Sequence, residues 1–137
     1  MFQQIIRLFA ILVIGLSSGS ALAARAVPVG EPIQRTVIQP SNGARTAAQV
    51  RDAIVNGGRH LGWQVRSEEP GKLRLAIQVR AHTVVVDVAY QAAGYSVAYA
   101  DSTEMNYRGE GAAAQIHPNY HKWVNNLCNQ IDRNLPV

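Results

Sequence analysis

The chain has 137 residues, 13 basic against 9 acidic, with four histidines and one cysteine. That size fits a single domain rather than two, and one cysteine excludes an internal disulfide. Eleven of the basic residues are arginines scattered along the chain, so no basic stripe forms and nucleic acid is not an expected partner.

The first residues read as an export signal. Arg7 and the terminal amine precede the uncharged run Leu8–Leu16, and Ser17–Ala23 is rich in small residues. Ala21 and Ala23 match the A-x-A pattern of a signal-peptidase site, which places cleavage after Ala23. A spanning helix needs about 20 apolar residues, and this run is about half that. The expected product is a periplasmic protein with no stable membrane anchor after cleavage. It has 114 residues and a net charge of +3, counted from the 12 basic and 9 acidic residues that follow Ala23.

Residues 24–45 carry Pro28, Gly30, Pro32, Pro40 and Gly43 and read as a flexible linker, with a possible short edge strand over 34–39. A helix follows. Thr46 and Gln49 make a capping box, and Val50, Ala53, Ile54 and Gly57 share one stripe. Gly57 suggests close packing against a sheet, and Gly62 supplies a stop. The period then changes to alternation. Strands are expected over 63–67, 72–80, 83–90 and 95–99, separated by Pro70-Gly71, a turn near Ala81-His82 and Ala92-Ala93-Gly94. Residues 101–116 read as a long polar loop. His117-Pro118 opens a last helix whose stripe is Tyr120, Trp123, Val124, Leu127 and Ile131. Cys128 lies beside that stripe and is expected to be buried.

The order α-β-β-β-β-α, joined by hairpins, implies an antiparallel four-stranded meander. Each strand is apolar on one face only, so both helices should cover one side. The expected fold is a two-layer α+β sandwich over residues 46–137.

Candidate chemistry is sparse. His117 and His121 have the i, i+4 spacing that can share a metal, with Asp101 and Glu104 as oxygen donors nearby, but the H-E-x-x-H pattern is absent. Ser102 with His82 or His117 and Asp87 or Asp101 would make a hydrolase, yet no G-x-S-x-G elbow is present. The chain is therefore read as non-catalytic, with no cofactor and no assigned metal ligand. Tyr90, Tyr95, Tyr99, Tyr107 and Tyr120, with Trp63 and Trp123, are the larger group, and rings with polar tips suit a binding groove. The residues assigned to binding are Tyr99, Ser102, Tyr107, His117, Tyr120 and His121. The expected partner is an envelope protein, peptide or glycan. A metal-binding protein and a small hydrolase are the alternatives.

Gly62-Trp63, Pro70-Gly71, Arg80-x-His82, Tyr99-x-x-Ser102 and Ile116-His117-x-x-Tyr120-x-x-Trp123-Val124-x-Asn126-Leu127 form a pattern over about residues 46–133. It resembles a group of short exported proteobacterial proteins of unassigned function, many of them predicted lipoproteins. The resemblance implies export and one domain, and it carries over no catalytic residue. This chain lacks the lipid-bearing cysteine of the lipoprotein members.

Overall fold

The computed structural model describes residues 25–136; the predicted signal segment, residues 1–23, lies outside the described residues. Two helices, α1 (Ala47–His60) and α2 (Asn119–Asn134), lie against an antiparallel sheet of five strands, in an α+β fold. The sheet strands are β2 (Ile33–Thr36), β3 (Gln64–Glu69), β4 (Lys72–Val79), β5 (His82–Gln91) and β6 (Gly94–Thr103), in the order β2-β6-β5-β4-β3. A second, two-stranded sheet pairs β1 (Val27–Pro28) with β7 (Gln115–Ile116). Among the described residues, no helix is long and apolar enough to cross a membrane.

Strand alternation sets the two faces of the sheet. Leu73, Leu75 and Ile77 of β4 stand opposite Val88, Val86 and Val84 of β5, and Val88 stands opposite Val97 of β6. All of these side chains are buried. The opposite face is polar. There Arg74 grips Asp87 with two bonds of 2.8 and 3.1 Å, and Lys72 lies 3.8 Å away. The Arg74 guanidinium holds the Asp87 carboxyl below its ordinary pKa.

Both helices pack on the apolar face. α1 begins where the sequence places it, with Thr46 accepting from the Gln49 N–H and the Gln49 side chain accepting from the Thr46 N–H. It ends at His60 with Leu61 as its C-cap, and Gly62 follows in the left-handed conformation at φ +92°. α2 buries Tyr120, Val124, Leu127, Cys128 and Ile131. Gly57 is a point of close contact between the helices. A Cβ there would stand 2.8 Å from the Ile131 backbone nitrogen, so Gly57 admits α2 rather than the sheet.

Three stretches differ from their sequence reading. The short edge strand allowed for over 34–39 forms as β2, which finds β6 as a partner about 60 residues further along, and the rest of the stretch read as a linker supplies β1 and buries Val29 and Val37. The sheet accordingly has five strands, not four. β6 extends four residues beyond its expected end, so the segment that follows is shorter than 101–116. That segment is packed rather than loose: Met105, Ala114 and Ile116 are buried, and Arg108 and Gln115 bridge its two arms.

A tyrosine cleft where two strands diverge

The site begins with a fork. β2 pairs with β6 from Thr36↔Gly94 to Ile33↔Val97 and then departs. Pro32 has no N–H to continue the ladder, and Gly30 turns the chain at φ +78°. Val29 and Gly30 instead donate backbone bonds of 2.7 and 2.9 Å to the Ala114 and Ala112 carbonyls. The gap left beside β6 is a cleft of about 420 Å³. Val29–Pro32 form one wall, Ala98 and Ala100 of β6 another, and Gly111 and Ala112 of a short 3-10 turn close one side.

Tyr99, Tyr107 and Tyr120 line the same cleft. The Tyr99 and Tyr107 rings stack with centroids 4.5 Å apart and planes 10° from parallel. Tyr120 meets Tyr99 edge-on at 5.7 Å. Both arrangements suit the negative face and positive edge of an aromatic ring. A β-bulge brings in Ser102. The β5–β6 register passes from Val86↔Tyr99 to Val85↔Asp101, which leaves Ala100 as an extra residue. The bulge keeps Tyr99 and Ser102, opposite Val86 and Val84, on the helix-covered face, where their hydroxyls bond at 2.7 Å. Regular alternation would separate residues three apart onto opposite faces.

Histidines brace the surrounding backbone. His121 Nε2 donates to the Pro28 carbonyl at 2.7 Å, and its ring meets Tyr120 edge-on. His82 Nδ1 donates to the Glu104 carbonyl at 2.7 Å, and the His117 N–H donates to the Met105 carbonyl at 2.9 Å. These bonds hold a tight bend in which Glu104 and Asn106 have φ +57° and +54° on either side of buried Met105.

Burial raises the Tyr99 phenol above its ordinary pKa and pushes Tyr120 up to about 12. Both are neutral hydroxyls at physiological pH. The cleft thus offers ring faces, hydroxyls and backbone amides, with Glu31 as the one carboxylate in its lining.

Of the six residues assigned to binding, Tyr99, Tyr107 and Tyr120 line the cleft, and Ser102 and His121 touch its tyrosines. His117 instead neighbours His82 at 6.2 Å between ring centroids, and its Nδ1 accepts from the Asn119 N–H at 3.0 Å. The other aromatics separate. Tyr90 and Tyr95 line a cleft of about 440 Å³ beside Arg35, where the Tyr95 hydroxyl is already committed to Asp132 and the Cys128 carbonyl. Trp63 and Trp123 line a smaller hollow with Leu61 and Val79. Sequence reasoning missed the wall Val29–Pro32. Its local signal, Gly30 and Pro32, reads as a turn and does not reveal the strand it leaves.

Ser102 Oγ bonds a tyrosine rather than a histidine, and Asp87 is held by Arg74 on the far face of the sheet. No group of three His, Cys, Asp or Glu side chains converges among the described residues. No family model, curated protein or solved structure significantly matches this chain.

Proposed function

We propose that this protein is an exported, non-catalytic binding module of the bacterial periplasm, which holds an envelope protein, peptide or glycan in the tyrosine cleft. The observation that supports this is the Tyr99–Tyr107 stack, partly exposed in the lining of an open cleft, with Tyr120 edge-on to Tyr99. A concave site with ring surface and a few placed polar groups is the usual form of a ligand pocket. Export rests on the signal-like residues 1–23.

The test is titration of the isotope-labelled protein with muramidase-digested cell wall and with periplasmic peptides, read by NMR. Resonances of Tyr99, Tyr107 and Tyr120 should move together, and Tyr107→Ala should abolish the response while the rest of the spectrum is retained. A spectrum unmoved by either fraction, or a response indifferent to Tyr107→Ala, would remove the reading.

A further inference from the structure

The fork also leaves part of a sheet edge unpaired. β6 is ten residues long, and β5 accompanies it as far as Thr103. β2 accompanies it only as far as Val97. Had the register continued, Pro32 would have stood opposite Ala98. From Ala98 to Asp101, β6 has a strand partner on one side only among the described residues. Alternate residues of an antiparallel strand turn their N–H and C=O groups to opposite sides; the Ala100 bulge interrupts that alternation locally, and the residues on either side of it still present main-chain donors and acceptors to the cleft.

We infer that the fork accepts an extended, non-acidic peptide segment as an added strand on β6 at Ala98–Asp101. This rests on the cleft being a binding site and names the class of ligand it takes. A polypeptide is the polymer whose donors and acceptors repeat at the strand spacing, so it satisfies the edge along its length. Four residues of β6 span about 10 Å and match about four residues of ligand. Side chains of the added strand on the helix-covered face meet the tyrosines. The charge of the lining selects against acidic ligands. Glu31 is its one ionised side chain, and tyrosine faces attract Lys and Arg. Pro32 bounds the open edge where β2 leaves it, and the Ala100 bulge interrupts it, which restrains chain-to-chain pairing.

The test uses the whole protein against a displayed library of random heptapeptides. Enriched peptides are made synthetically, with and without N-methylation of alternate backbone amides, and amide hydrogen exchange is followed in the complex. The expected result is enrichment of Lys or Arg at alternating positions and about tenfold weaker binding of one methylated register. Exchange should slow at one or more amides of Ala98–Asp101. Failure to enrich any peptide, binding indifferent to methylation, or protection confined to other amides would each overturn the added strand. If cell-wall fragments still shift the three tyrosines, the binding cleft survives that failure. If they do not, both readings fall together.

Discussion

Gly57 carries a constraint that its neighbours in the helix do not. Alanine is the better helix former by up to about 1 kcal/mol, yet a methyl group here would meet backbone atoms of Gln130 and Ile131 at 2.8–2.9 Å. Backbone cannot rotate away, so the helices would have to separate. Gly57→Ala should destabilise the protein by about 1–3 kcal/mol in urea denaturation, and an unchanged midpoint would contradict this contact. Cys128 makes a second case. Burial pushes its thiol from 9.0 up to about 11. Its contribution to stability is complete below pH 9 and falls as pH rises towards 11, because the unfolded chain releases a proton that the folded chain keeps. A thiol reagent at pH 8 should leave the native protein unmodified and label it on unfolding. The sequence showed both residues on their helices, but the partner of Gly57 became visible only in the fold.

At the level of single elements, one turn departs from local backbone rules and one cap follows them. The β4–β5 hairpin has Arg80 and Ala81 between Val79 and His82, with Arg80 at φ +57°. A left-handed backbone suits glycine and strains a residue with a Cβ. Arg80→Gly should therefore hold the hairpin and raise thermal stability, by up to about 1 kcal/mol; a lower melting temperature would show that the arginine side chain contributes more than its strain costs. Thr46 illustrates the opposite situation, a cap whose bonds are local and legible. Thr46→Ala removes the side-chain half of a reciprocal cap and should cost about 1 kcal/mol, measured by the same denaturation. The length of β6 was not legible in this way. Its polar residues past Tyr99 resemble loop, and only β5, running alongside to Thr103, keeps them in a strand.

The whole molecule depends on residues that look dispensable in the chain. β1 and β2 are short and flanked by proline and glycine, yet Val29 and Val37 are buried, and β2 covers β6 closely enough that a Cβ on Gly94 would stand 2.5 Å from the Arg35 carbonyl oxygen. Arg35 also pairs with Asp132 of α2 at 2.9 Å, which ties the edge strand to the last helix. A protein starting at Ile38 should lose cooperative unfolding or melt at a clearly lower temperature. If calorimetry found the full-length and shortened domains equally stable, residues 25–37 would be an appendage after all.

The sequence by itself determined the features that arise from local periodicity and local bonding. These are two amphipathic helices, the alternation of β4, β5 and the first half of β6, the capping box, the Pro70-Gly71 turn and the burial of Cys128. An α+β sandwich follows from those elements, since each has one apolar face to cover. The tertiary structure alone decided which strand the edge segment before Thr46 pairs with, that an extra residue in β6 turns Ser102 towards Tyr99, and that only three of the five tyrosines share a cleft. Each of these depends on pairing between distant segments. A strand four residues long has too little pattern to announce its partner, and a bulge is visible only when two strands are laid side by side.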